Sequence, residues 1–206
     1  MNDCEKGIIS GIGQTLSGHP LDTLKVIRQN KLVVEKMNLK RLYKGLTFPL
    51  IANATIMSSQ YYFYHNHSGL MAGIISGMMI GPIDYFKIQK QVSKDYKYTL
   101  RMPKGIIPTI MRESLSVPIY FNTYYKANEK LNNSFLSGGI AGALSWLIPY
   151  PIDTIKSRMQ LGYNLKESIK MGNYTRGLSI CLMRGFIANG VGFSLVEKIK
   201  NKKINE

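Results

Sequence analysis

GGIAGALSWLIPYPIDTIKSRMQ, residues 138–160, decides the fold, because the chain contains its pattern three times. GIISGIGQTLSGHPLDTLKVIRQ at 7–29 and GLMAGIISGMMIGPIDYFKIQKQ at 69–91 have the same length and register. In each, two glycines stand 13 and 9 residues before a proline: Gly7 and Gly11 before Pro20, Gly69 and Gly73 before Pro82, Gly138 and Gly142 before Pro151. Each proline opens a Pro-x-Asp-x-x-Lys motif, with Asp22 and Lys25, Asp84 and Lys87, and Asp153 and Lys156. A glutamine follows 9 residues after the proline, at Gln29, Gln91 and Gln160. Internal repetition dictates architecture before any local signal does. The prolines are 62 and 69 residues apart, so each unit (1–66, 67–130 and 131–206) holds two long helices and a loop.

The mean hydropathy of -0.08 is that of a soluble chain, but it averages two kinds of segment. Charges sit between long uncharged runs, Gly7 to Leu21, Leu46 to Tyr64, Ser68 to Ile83 and Leu131 to Ile152. The second and last reach the roughly 20 residues that span a bilayer. The runs are rich in Gly, Ser, Thr, Asn and Tyr, which suits helices that face one another or a wet cavity. In a soluble bundle, glycine every four residues would cost about 1 kcal/mol each relative to alanine. In a membrane the same spacing lets helix backbones approach closely.

The net charge of +15 is distributed by loop rather than by patch. The segments after the motifs, Lys25 to Lys44, Lys87 to Lys104 and Lys156 to Arg176, carry 7, 6 and 5 Lys or Arg, which is 18 of the 27. On the opposite side, His65 to Ser68 has none and Lys126 to Ser134 has two. That asymmetry follows the positive-inside rule and turns the motif loops toward the inner compartment. No nucleic-acid-binding module accompanies the charge, so a nucleic acid polymer is not expected as partner. Cys4 and Cys181 fit no metal or disulfide framework. No cleavable presequence is read at the start, since the first run already belongs to repeat one.

Helices are expected at about 5–30, 45–66, 68–92, 104–130, 132–161 and 176–200, the even ones opening at Lys44-Gly45, Lys104-Gly105 and Arg176-Gly177. Pro20, Pro82 and Pro151 are expected to kink the odd helices toward a common axis. With PLDTLK, PIDYFK and PIDTIK and the two flanking registers, the chain resembles the mitochondrial carrier family over essentially its whole length. The resemblance implies an all-α membrane protein, six transmembrane helices in a threefold pseudosymmetric barrel, multi-pass in the mitochondrial inner membrane and working as a monomer by alternating access. It also implies a matrix gate in which the motif acid of one odd helix pairs with the motif lysine of the next. On this chain the pairs are Asp22 with Lys87, Asp84 with Lys156 and Asp153 with Lys25, each braced by Gln29, Gln91 or Gln160. Partly solvated pairs are worth about 0 to 1 kcal/mol each, and such weak bonds suit a gate driven by differential ligand binding.

Two departures from the family pattern stand out. The family closes its outer mouth with a second ring of ion pairs. Here the third repeat keeps Glu197 and Lys200, a cytoplasmic gate remnant, whereas the first has His65 and Ser68 and the second Tyr125 and Asn128. The weakened ring predicts an outward-open state in the absence of substrate. The basic loops are also short, with 13 to 16 residues between the bracing glutamine and the glycine of the basic-Gly pair. The family's surface helices, and the cardiolipin sites at their ends, have little chain to form from. The amides at Gly45, Gly105 and Gly177 can still meet a membrane lipid phosphate.

Ionisable groups inside a span are costly and mark function. Arg112 and Arg184 each stand 7 residues after a helix-start glycine, while the first repeat has Ala52 there. Both therefore lie about 10 Å into the membrane at one level. Glu113 adjoins Arg112 and brings a carboxylate to that level. An Arg-Glu pair there is similar to carriers of carnitine esters, ornithine and basic amino acids. The resemblance assigns Arg112 and Arg184 to the substrate carboxylate and Glu113 to its cation, with His19, Ala52, Ile56, Met57 and Gln60 lining the rest. The alternative is a carrier of nucleotides such as ATP or of another phosphorylated metabolite, which a carboxylate at Glu113 would repel. A carrier-like receptor or scaffold that no longer transports is the third reading. An enzyme is not expected, since no nucleophile-base pair, metal cluster, phosphate loop or cofactor motif is present.

Overall fold

The computed structural model describes residues 1–29, 43, 46–92, 106–160, 163–175 and 177–205, with side chains except at 22–29, 84–92, 160 and 204–205. Every regular element among them is helical. In chain order they are α1 (Asp3–Gln29), α2 (Thr47–Asn66), α3 (Gly69–Val92), α4 (Ile106–Leu131), α5 (Ser134–Leu147), α6 (Tyr150–Gln160), α7 (Leu165–Lys170) and α8 (Leu178–Asn205). α1 packs on α2, α2 on α3, α3 on α4, α4 on α5, α5 on α8, and α8 returns to α1. Among the described residues one helix, over Leu178–Lys203, is by itself long and apolar enough to cross a membrane, and α5 with α6 makes a second if that bent pair is one span.

The glycine register does what its spacing implies. A Cβ at Gly11 would stand 2.7 Å from Ala54 Cα, one at Gly73 2.5 Å from the Glu113 carbonyl oxygen, and one at Gly142 2.4 Å from the Gly185 carbonyl oxygen. Each pair of consecutive long helices therefore touches backbone to backbone at a glycine, as small-residue interfaces in membranes do.

The helix expected over 132–161 is divided. Asn133 caps α5, its side chain accepting from the N–H groups of Phe135 and Leu136 at 3.1 and 3.0 Å. α5 then stops before Ile148 and Pro149, and α6 leaves at 55° to it. The fully buried Pro149 has no N–H and its ring opposes a preceding helical turn, so it breaks the helix. Pro151 sits instead in the first turn of α6, where a missing N–H has no helical partner to lose. The kink expected at Pro151 is thus a break two residues earlier. Pro20 and Pro82 lie inside helices that continue through them.

The third basic loop, short as it is, keeps a six-residue helix, α7, opened by a capping box between Asn164 and Glu167. Arg158 of α6 fastens it by donating to the carbonyls of Ser168 and Gly172 at 2.7 and 2.6 Å, and lies over the Tyr174 ring at 5.5 Å.

Candidate functional site

α4 brings the charged pair inside. Arg112 and Glu113 are 7% and 6% exposed, and an Arg112 terminal nitrogen bonds the Glu113 carboxylate. Neighbours on a helix do not face each other, so the two side chains meet only because the long arginine folds toward the glutamate. Its Nε lies 3.4 Å from Asp153 Oδ1 on α6. Its Cζ lies 5.1 Å from the ring centroid of Trp146 on α5. A residue expected to meet substrate thus also touches the motif acid of repeat three.

Arg184, the second arginine, stands on α8 next to a residue that packs on the same indole. The neighbouring Gly185 faces Trp146, whose Cδ1 would be 3.0 Å from a Cβ there, and the guanidinium of Arg184 comes within 3.8 Å of a Cβ at Gly18 on α1. Trp146 thus touches Arg112 directly and packs on Gly185, the residue next to Arg184. Trp146 was not among the expected site residues. Its signal was available, a lone aromatic five residues before the third motif proline, but nothing local showed what it would touch.

About 12 Å further along α4, by helical rise, a polar layer crosses the bundle. Gln14 Nε2 donates to Ser10 Oγ at 3.0 Å, to Tyr120 Oη at 3.0 Å and to Met57 Sδ at 3.3 Å. Gln60 is buried beside it at 4% exposure. Met57 and Gln60 stand inside as expected, and Ala52 and Ile56 share the helical face of Gln60 at four-residue intervals. Gln14, Ser10 and Tyr120 complete the layer, of which only Tyr120 was expected near a substrate, and then for the nucleotide alternative. His19 lies elsewhere. It follows the exposed Leu16 by three residues on one face of α1, and its ring stacks on Tyr43 at 6.2 Å. Helical phase carries it away from the face that holds Gln14.

Above that layer the bundle is filled with rings. Tyr124 stacks on Phe193 at 3.4 Å between centroids, Tyr64 on Phe121 at 4.4 Å, and Tyr61 meets Phe121 edge-on at 4.9 Å. Tyr61, Phe121 and Phe193 are each at most 1% exposed. At this end of the bundle aromatic packing and hydrogen bonds stand where the ion pairs are missing. At the rim His65 Nε2 meets Tyr125 Oη at 2.8 Å, and Lys203 bonds Glu5 at 3.2 Å. Glu197 is half-buried and Lys200 exposed.

At the inner end Asp153 is placed by its contact with Arg112, and Lys156 is buried at 4% exposure. The side chains of Asp22, Lys25, Gln29, Asp84, Lys87, Gln91 and Gln160 lie outside those described, as do Lys44-Gly45, Lys104-Gly105 and Arg176. Each of the three expected gate pairs has at least one member among them. No group of metal-ligating side chains occurs among the described residues.

The family model described as mitochondrial carrier protein matches residues 128–175, which hold α5, α6 and the third motif. A mitochondrial arginine transporter of Arabidopsis thaliana is 24% identical, the match covering 93% of this chain and 88% of the relative. The human mitochondrial basic amino acids transporter is 26% identical, over 92% of this chain and 86% of its own. A mitochondrial glycine transporter of Saccharomyces cerevisiae is 25% identical, over 96% and 90%. The chain is thus similar to mitochondrial carriers over more than nine tenths of its length, with the family model matching within it at residues 128–175.

Proposed function

We propose that this carrier moves a small zwitterionic or cationic metabolite, of the kind of basic amino acids, ornithine or carnitine esters, in exchange by alternating access. The observation that carries the reading is the buried Arg112–Glu113 pair. A carboxylate in the middle of a bundle is costly unless it meets a cation. With Arg184 expected at the same depth, the level offers two guanidiniums for a substrate carboxylate and Glu113 for a positive group. Arginine and basic amino acids are what two of the relatives named above transport. A glycine carrier is among the relatives too, and glycine would offer only its ammonium to Glu113.

In this reading α1 to α6 and α8 form six spans in three repeats, 1–66, 67–130 and 131–206, with α5 and α6 as one bent span and threefold pseudosymmetry broken at the substrate level. The closed circuit of helix contacts and the glycine seams support it. The matrix gate is the ring of Asp22, Asp84 and Asp153 with Lys87, Lys156 and Lys25, braced by Gln29, Gln91 and Gln160. The carrier acts as a monomer, with lipid phosphate such as cardiolipin at its inner helix starts.

Uptake of labelled arginine, ornithine, carnitine, glycine and ATP into proteoliposomes loaded with the same compounds tests the reading. Exchange of cationic substrates is expected, abolished by Glu113→Gln. Uptake of ATP alone would overturn it, and uptake of glycine alone would restrict it to zwitterions without a second cationic group.

A further inference from the structure

Three groups from three helices converge on one guanidinium. Glu113 from α4 and Asp153 from α6 supply carboxylates to Arg112, and Trp146 from α5 supplies an indole face. Two carboxylates and an aromatic face about a single planar cation make a receptor for a guanidinium or alkylammonium head. The occupant here is the chain's own side chain.

We propose that Arg112 is the resident occupant of this cation site and that the positive end of the substrate displaces it. Arg112 then turns to the substrate's carboxylate, beside Arg184, and Asp153 is released from Arg112 in the same exchange. This deepens the reading of the chain as a carrier of cationic zwitterions and rests on it. The exchange answers a problem that the burial raises. An empty site holding Glu113 without a cation would leave a charge unpaired at low dielectric, and a substrate that merely added a cation would meet Arg112 as a like charge. Swapping one guanidinium for another cation leaves no carboxylate unpaired at any stage. Because Asp153 belongs to the third Pro-x-Asp-x-x-Lys motif, occupancy of the site also reaches the inner end of the bundle through one atom pair rather than through a diffuse shift.

The single tryptophan of the chain is Trp146, so intrinsic emission reports the cation over its ring without a label. In detergent-solubilised full-length protein, Arg112→Ala is titrated with guanidinium ion. A saturable change in Trp146 emission and a raised thermal midpoint are expected, at least tenfold weaker in Arg112→Ala/Asp153→Asn and absent from the unsubstituted protein at the same concentration. A folded Arg112→Ala protein that shows no saturation, or equal binding in the double variant, overturns the proposal. Should Arg112→Ala not fold, the unsubstituted protein is titrated with arginine: Trp146 emission is expected to change, and not to change in Glu113→Gln. No change, or the same change in both, overturns it. Guanidinium binding to Arg112→Ala without uptake of any cationic amino acid would sink the substrate reading and keep the cation site; uptake without guanidinium binding would do the reverse.

Discussion

His65 Nε2 lies 2.8 Å from Tyr125 Oη, joining α2 to α4 at the positions where an outer ring of ion pairs would have an acid in repeats one and two. The contact is flanked by Tyr64, which stacks on Tyr125 at 6.0 Å and donates to Asn122 Oδ1 at 2.6 Å. Neutral hydrogen bonds and rings stand there with no charge to desolvate. Tyr125→Phe keeps the stack and removes only the hydroxyl. A net loss of about 1 kcal/mol is expected, read as a thermal midpoint lowered by about 2–4 °C in a chain of this size. An unchanged midpoint would mean the contact holds nothing.

Gln14 is the joint of three helices, and its partners Ser10, Met57 and Tyr120 lie in α1, α2 and α4. Gln14→Leu fills similar space but leaves the Tyr120 hydroxyl without that donor in a buried layer. The cost is expected at about 1–3 kcal/mol, measured by thermal unfolding in detergent. Tyr120→Phe on the Gln14→Leu background should recover part of it, because removing both polar partners is cheaper than orphaning one.

Gly73 and Gly172 separate two demands on glycine. Gly73→Ala would drive a methyl to 2.5 Å from the Glu113 carbonyl oxygen, against backbone that cannot turn aside. Overpacking of this kind costs about 1–3 kcal/mol, and the shift is delivered to the residue that binds Arg112. Transport should fall together with stability. Gly172→Ala meets nothing within 4 Å and suffers only at its φ of +56°, a strain of about 1 kcal/mol. Stability should fall slightly and the uptake rate not at all.

Arg158 ties the third basic loop to α6 by two short bonds to carbonyls. Arg158→Lys keeps the charge but loses the planar fork that reaches both oxygens at once. Limited proteolysis between Tyr163 and Thr175 should accelerate about tenfold, the equivalent of about 1.4 kcal/mol in local opening. An unaltered cleavage rate would show that α7 stands without Arg158.

Arg184 differs from Arg112 in facing α1 across Gly18. Arg184→Lys should raise the KM for a carboxylate-bearing substrate about tenfold or more while leaving thermal stability nearly unchanged, since a point charge replaces a bidentate fork. Equal KM values would remove Arg184 from the site.

The helices and the burial of Arg112 were legible in the residues alone, because each is written in a period, a spacing or a count along one segment. Gly11, Gly73 and Gly142 announced their helix contacts for the same reason: a small residue every four positions has one use in a membrane. The break at Ile148 and Pro149 was misplaced to Pro151, since the two prolines stand two residues apart and only packing selects which one interrupts the hydrogen bonds. His19 was expected to line the site, and in the structure its ring stacks on Tyr43.

What the sequence by itself determined is the threefold pattern, the family resemblance and the charges that α4 and α8 carry. Tertiary structure alone decided what those charges touch. Arg112 with Asp153 and Trp146, Gln14 with Tyr120 at a separation of 106 residues, and His65 with Tyr125 at 60 join positions with no shared period. Local spacing fixes where a side chain leaves its own helix. Its partner is set by the rotation and depth of the neighbouring helix, which the glycine contacts and the turn at Pro149 impose only when the bundle closes.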